Sequence, residues 1–293
     1  MEGFDLSLGK GRKPLFDDAP DRFQRRISGV DYLHLKGRQN GDLFITRAGW
    51  PVASSIVPER WFTGAQFNKP GQLLAGATGA VYRVPVTHPV RSNFTLVVKF
   101  SRFGQDVGIT VAGNELTDDA AFMSRVDDAE FLPPFEEFSN LMRLRNQCCG
   151  HFVTKAPLAI CSPPTRYPAW QLGRKNHLQW TYRRKLSASQ TEDPPAAKVE
   201  YDWERLYILL YRWIDGIDLE QAQSAGLVSK SQMIEWTRRA ADQLRDFGWM
   251  VLDHKPRHLI VRPKRNGSTI LQRHGKPVLG LIDYELLVPS HRC

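Results

Sequence analysis

The 293-residue sequence has no apolar run long enough to cross a bilayer. Its longest, around Leu206 to Ile214, is interrupted by Arg212, whereas a spanning helix needs about 20 apolar residues. The start of the chain, Met-Glu-Gly-Phe-Asp-Leu-Ser-Leu-Gly-Lys, lacks the charged-then-apolar pattern of a secretory signal, so a cytoplasmic protein is expected. Cysteine is scarce, four in all, with Cys148 and Cys149 adjacent, which argues against a disulfide framework in a chain of this length. Cys148, Cys149, His151 and Cys161 lack the Cys-x-x-Cys pairs typical of structural zinc. Reduced, partly buried thiols are expected instead.

A hydrophobic content of 42% can bury a core, as one large domain or as two lobes. The formal charge of +9 and the pI near 9.5 favour acidic partners: nucleotide phosphates, nucleic acid, anionic lipid or glycan phosphate. Residues 1–65 mix basic clusters with Pro14, Pro20 and Pro51 and read as an N-terminal extension; within them Asp31-Tyr-Leu-His-Leu-Lys alternates weakly, as a strand would. A proline-rich stretch, 161–201, carries Trp170, Arg174, Lys175, Trp180, Tyr182, Arg183, Arg184 and Lys185. Interleaved tryptophan and arginine can stack on bases and grip phosphates; a solvated insertion whose aromatics pack locally is the alternative.

The most informative stretch is Gly-Trp-Met-Val-Leu-Asp-His-Lys-Pro-Arg-His-Leu-Ile-Val, residues 248–261. Asp253, Lys255 and Pro256 stand between two apolar runs, the order of a strand, a tight loop and a second strand. Asp283 ends another apolar run in Leu-Gly-Leu-Ile-Asp-Tyr-Glu-Leu-Leu, residues 279–287. Two acids delivered from strand ends, with a lysine two residues after the first, suit phosphoryl transfer. One would take the proton of the attacking hydroxyl and the other would hold magnesium. A charged surface turn is the competing reading of these segments alone. Before them, Ser229-x-x-Gln232 predicts a capping box. Met233, Trp236, Ala240, Leu244 and Phe247 predict one buried helix face, and Gly248 its stop.

Asp-His-Lys-Pro-Arg-His resembles the catalytic loop of the protein-kinase-like superfamily, and Ile-Asp-Tyr-Glu resembles its metal-binding segment. Lys255 and Pro256 are similar to Ser/Thr protein kinases. His258, at the position of the usual metal-binding Asn, is similar to lipopolysaccharide-core sugar kinases, and Val251 replaces the usual His. Upstream, Gly76, Gly79 and Val81 resemble the second half of the glycine-rich loop, with Leu74 at its first glycine, although a plain hairpin turn fits the pair as well. Lys99, twenty residues after Gly79 in Phe94-Thr-Leu-Val-Val-Lys-Phe, resembles the phosphate-binding strand lysine. Pro133 and Pro134 can start a helix over 131–146 that offers Glu137 to that lysine, with Glu136 as the alternative; the pair also suits the helix dipole. Trp-Ile-Asp-Gly-x-x-Leu resembles the hinge ending, which implies adenine contacts with backbone near Tyr211, Arg212 and Trp213.

The resemblance implies an α+β, two-lobed protein-kinase-like fold with an antiparallel-sheet N-lobe over 66–214, including the 161–201 insertion, and a small, mainly helical C-lobe over 215–293. The chain ends ten residues after Asp283, so that C-lobe is expected to be short or truncated. The implied activity is transfer of the ATP γ-phosphoryl group to a hydroxyl of a protein Ser/Thr or of a sugar or glycan. Asp253 and Lys255 would be catalytic; Asp283, His258 and Glu285 would hold Mg2+ or Mn2+. A nucleotide-binding pseudokinase or scaffold, and a basic nucleic-acid or anionic-surface binder, are the other classes this sequence allows.

Overall fold

The computed structural model describes the chain apart from residues 1–2, 10, 63–70, 75–79, 88–93, 109–119, 149, 190–199, 265–266, 268 and 291–293. In chain order the strands are β1 (Gln24–Ile27), β2 (Val30–Lys36), β3 (Asp42–Thr46), β4 (Gln72–Leu73), β5 (Val81–Val86), β6 (Phe94–Phe100), β7 (Phe152–Thr154) and β8 (Pro157–Ser162). They continue with β9 (Ile208–Arg212), β10 (Ile217–Asp218), β11 (Trp249–Val251), β12 (Leu259–Val261), β13 (Gln272–Arg273), β14 (Lys276–Pro277), β15 (Leu279–Leu281) and β16 (Leu287–Pro289). The helices are α1 (Ala53–Ile56), α2 (Ala120–Asp127), α3 (Pro134–Gln147), α4 (Asn176–Ser189), α5 (Leu219–Ser224) and α6 (Lys230–Asp246). This is a mixed α+β chain with one large antiparallel sheet. It divides into two compact units, Met1–Asp106, Pro133–Ser139 and Ala156–Trp213 in the first, and Val107–Leu132, Asn140–Lys155 and Ile214–Cys293 in the second.

The first unit is built on an eight-stranded sheet in the order β1-β2-β3-β8-β9-β6-β5-β4. β6 is rich in β-branched and aromatic residues, which fit a pleated surface. Leu96 through Lys99 are all buried, as expected of an unbroken apolar run covered on both faces. Leu33, Leu43, Ile45, Val98, Ile208 and Leu210 anchor the core on this sheet.

Two segments set apart by composition take part in this unit. Residues 24–46 join the sheet, where β3 pairs with β8 through Leu43–Cys161 and Ile45–Ala159. Arg205 fastens this junction, its Nη1 donating to Asp42 Oδ2 at 2.6 Å, Nε to the Pro163 carbonyl at 3.0 Å and Nη2 to the Ser162 carbonyl at 2.6 Å. Burial alone would raise the Asp42 carboxyl, but hydrogen bonds from His34 and Arg205 together hold it below its ordinary range. The described part of the 161–201 stretch also belongs to this unit. Arg174 is buried and donates to the carbonyls of Asp202, Trp203 and Arg205, so it grips the backbone and not a ligand phosphate.

The second unit holds a four-stranded sheet in the order β10-β12-β15-β7, parallel only at β15–β7, and a β11–β16 ribbon. It is thus mixed, where a mainly helical region was expected. α6 begins in the predicted capping box of Ser229 and Gln232 and buries Trp236, Ala240 and Leu244. It ends where Gly248, at φ +78°, donates its N–H to the Arg245 carbonyl at 2.8 Å. Gly216 is required by space as well as by φ, because an added Cβ would lie 2.4 Å from the Val261 carbonyl oxygen. Cys161 in the first unit and Cys148 in the second are buried, and burial pushes the Cys148 thiol up to about 11.

Candidate active site

In the first unit, the β5–β6 register sets Val81 opposite Lys99. Lys99 is 7% exposed and Glu137 1% exposed, and Lys99 Nζ donates to Glu137 Oε1 at 2.9 Å. Tyr211, buried on β9, donates its hydroxyl to the same oxygen at 2.6 Å. Two buried charges persist only when each meets the other and further hydrogen bonds satisfy what remains. α3 is held in place to deliver Glu137. The Phe135 N–H, in its first turn, finds the Tyr201 hydroxyl at 3.1 Å, and Ser139 Oγ donates to the Ser28 carbonyl at 2.6 Å. That hydroxyl stays protonated because burial raises it well above the phenolic range. Glu136, the alternative partner, is exposed.

The segment that resembles a hinge lies at the end of β9 in this unit. Tyr211 directs its side chain to Glu137, while the Arg212 N–H bonds the Ala156 carbonyl at 3.0 Å and the Trp213 N–H the Thr95 carbonyl at 2.9 Å. Those two donors are therefore already engaged in the sheet. The Trp213 ring instead carries Arg83, whose Cζ lies 4.9 Å from the ring centroid. Gly76 and Gly79 lie outside the described residues. Their flanks pair as a hairpin, Leu73 with Tyr82, and the Leu74 N–H bonds the Val81 carbonyl at 2.9 Å.

In the second unit, Asp253 follows β11 and Asp283 follows β15, each at a strand end. Between β11 and β12 the chain makes a 3-10 turn at Pro256–His258. The turn is tied down by the Ile282 N–H, which bonds the His258 carbonyl at 3.1 Å. Lys255 Nζ meets Asp253 Oδ1 at 2.6 Å, both side chains being mostly shielded. His258 Nε2 stands 3.6 Å from Asp283 Oδ2, and its buried Nδ1 meets no hydrogen-bond partner among the described residues. His254 is turned away from this cluster, donating Nε2–H to the Thr237 carbonyl of α6 at 3.0 Å. Burial pushes it down to about 4.

The proposed ion ligands do not assemble as a triad. Glu285 is buried, and among the described residues no three His, Cys, Asp or Glu side chains gather to hold a metal. Magnesium prefers oxygen, keeps several waters and takes others from phosphates. The donors fit an ion with Asp283 as its protein oxygen ligand, and do not fit a cage of Asp283, His258 and Glu285.

Sequence reasoning missed Lys155 and Tyr284. Lys155, buried just after β7, donates Nζ to the Ile282 carbonyl at 2.7 Å, next to Asp283. Its N–H donates to the Tyr284 hydroxyl at 2.8 Å, and that hydroxyl donates to the Leu281 carbonyl. These bonds hold the backbone just before Asp283 and the side chain just after it. The available signal was a lysine between two apolar runs, Phe152–Thr154 and Ala156–Ile160.

No family model matches the chain, and no curated protein matches it. Among solved structures it is similar to WaaP in complex with acyl carrier protein, at 11% identity over 79% of this chain and 69% of that one, with a TM-score of 0.36. It is similar to the Rio2 kinase of Chaetomium thermophilum in an ADP/Mg2+-phosphoaspartate complex, at 12% identity over 77% of this chain and 51% of that one, with a TM-score of 0.35. WbdD bound to a kinase inhibitor is similar at 14% identity over 68% of this chain and 31% of that one, with a TM-score of 0.29. The chain thus spans about half of the second and a third of the third. Superpositions this loose leave the chemistry to be argued from the residues themselves: Lys99 bound to Glu137, Asp253 bound to Lys255, and Asp283 at its strand end.

Proposed function

We propose that the chain is an ATP-dependent phosphotransferase that moves the γ-phosphoryl group to an alcohol, a protein Ser/Thr or a sugar or glycan hydroxyl. The observation that carries this reading is the buried Lys99–Glu137 pair with Tyr211 as a third member. A buried ion pair adds little to stability over apolar residues of the same volume, so its presence asks for a use. A lysine fixed in one position supplies a charge for the α- and β-phosphates.

In this reading the acceptor oxygen forms its bond to the γ-phosphorus as the bridging bond to the β-phosphate breaks, and ADP leaves. Asp253 orients the acceptor hydroxyl and takes its proton. Lys255, already on Oδ1, leaves Oδ2 for that proton and offsets the charge spread over the moving phosphoryl oxygens. Asp283 is the residue that would hold magnesium, whose chemistry is to neutralise phosphate charge. Gly76 and Gly79 would cover the phosphates with backbone N–H groups.

A pseudokinase is the second reading, and His258 favours it, because imidazole is a poor substitute for an oxygen ligand to magnesium. ATP turnover with magnesium or manganese, beside Asp253→Asn and Asp283→Asn, separates the two. Turnover lost in both variants is the expected result. Thermal stabilisation by ATP that needs Asp283, without turnover by the native chain, would replace the enzyme with a nucleotide-binding scaffold. Neither turnover nor binding would overturn both.

A further inference from the structure

The formal charge of this protein is not spread evenly. Between Glu137 and Glu192 the sequence contains no Asp or Glu, yet it holds nine Lys and Arg, so this stretch accounts for the whole of the +9. Most of those cations are committed. Arg143 lies over the Trp249 ring and Arg145 bonds the Thr154 and Lys155 carbonyls. Lys155 and Arg174 are buried, Arg166 pairs with Asp202 and Glu204, and Lys175 pairs with Asp106. Arg183 and Arg184, on α4, are exposed, and among the described residues no carboxylate pairs with either.

α4 has a clear inside and outside. Tyr182 packs edge-on against Phe103 and Tyr201, with centroids 5.4 and 5.5 Å away. At about 100° per residue Trp180 points about 160° away from Tyr182, and His177, Arg183 and Arg184 fall within about 60° of Trp180. Trp180 is 71% exposed, as is Trp170 (75%) in the 3-10 turn Ala169–Leu172 that leads into the helix. Asp106 reaches Lys175 and His177 at the start of α4; the arginines lie two turns further on.

We propose that this outer face of α4 binds single-stranded nucleic acid, with Trp180 stacking on a base and Arg183 and Arg184 contacting the flanking phosphates. An exposed indole between cations is the arrangement by which strands are held without regard to sequence. The face offers one apolar side chain among polar and basic ones, too little for a helix lying in a membrane surface, which buries a continuous apolar stripe. An acidic peptide would use the arginines but has no flat ring for Trp180. The inference does not depend on the phosphotransferase reading.

The test is titration of the full chain with single-stranded oligo(dT) of about twelve nucleotides, a length within the usual site size. Indole fluorescence and affinity are followed across salt concentrations. Quenching with micromolar affinity is expected at low salt, and Trp180→Ala should weaken binding about tenfold. Arg183→Gln with Arg184→Gln should lower the slope of log affinity against log salt by about 1.4, the effect of two phosphate contacts on a single strand. All three side chains are exposed, so thermal melts should be unchanged, and Trp180→Phe should keep most of the affinity. Equal affinity in native and Trp180→Ala chains would overturn the proposal. Equal binding of polyglutamate, or binding of phosphatidylserine vesicles with none of oligo(dT), would also overturn it.

Discussion

Glu137 accepts from Lys99 and Tyr211 on one oxygen, and both donors are buried as well. Replacing it by Gln keeps the shape but removes the charge that the Lys99 ammonium meets at Oε1. Removing one partner of a buried pair costs about 3–5 kcal/mol. Glu137→Gln is therefore expected to lower the urea midpoint strongly, and Lys99→Met on that background to recover part of the loss. Tyr211→Phe removes one hydrogen bond to a charged acceptor and should cost about 1.5–3 kcal/mol. A Glu137→Gln chain as stable as the native one would mean that the pair is not a buried ion pair at all. The same residues show what sequence can convey. Lys99 stood out as a charge inside a β-rich run, and Glu137 as an acid at helical spacing from Leu141 and Leu144. Tyr211 carried no signal for its role, because what an interior hydroxyl bonds depends on which strands become neighbours.

The 3-10 turn between β11 and β12 is joined to α6 by His254, whose Nε2–H meets the Thr237 carbonyl. The residue keeps some surface, but its Nδ1 is fully buried and without a partner among the described residues. The ring is thus held neutral, with its pKa brought from 6.5 to about 4 chiefly by burial. Below 6.5 the unfolded chain takes up a proton that the folded chain refuses, so stability falls as pH drops from 6.5 toward 4, by roughly 2–3 kcal/mol from this group. His254→Gln, which keeps a donor for Thr237, should flatten that part of a stability–pH curve and leave stability above pH 7 nearly unchanged. An identical acid limb in the variant would remove His254 as its cause. Elements written by local pattern were legible: the Ser229 cap, the Trp236–Ala240–Leu244 stripe and the Gly248 stop of α6 all follow from neighbours a few residues apart. The pairing of β3 with β8 was not, because it joins residues more than a hundred positions apart. Neither was the joining of Lys155 to Ile282, for the same reason.

At the scale of the whole molecule, charge and chemistry are carried by different residues. Outside the Glu137–Glu192 interval the chain has thirty-one Lys and Arg against thirty-one Asp and Glu and is formally neutral. A basic pI thus reports one stretch and not a general affinity for anions. The residues assigned to phosphoryl transfer are Lys99, Glu137, Asp253, Lys255 and Asp283, and none belongs to the outer face of α4. The two activities should therefore separate cleanly by mutation. Arg183→Gln with Arg184→Gln should leave ATP turnover within about twofold of native, since exposed substitutions away from a site rarely change stability by more than about 0.5 kcal/mol, while oligonucleotide binding falls and its salt slope flattens. Asp283→Asn should abolish turnover and leave oligo(dT) affinity unchanged. Loss of turnover in the arginine variant would mean that the nucleotide, or the acceptor, is what those arginines hold. The basic face would then be part of the phosphotransfer machinery, and its partner the acceptor itself.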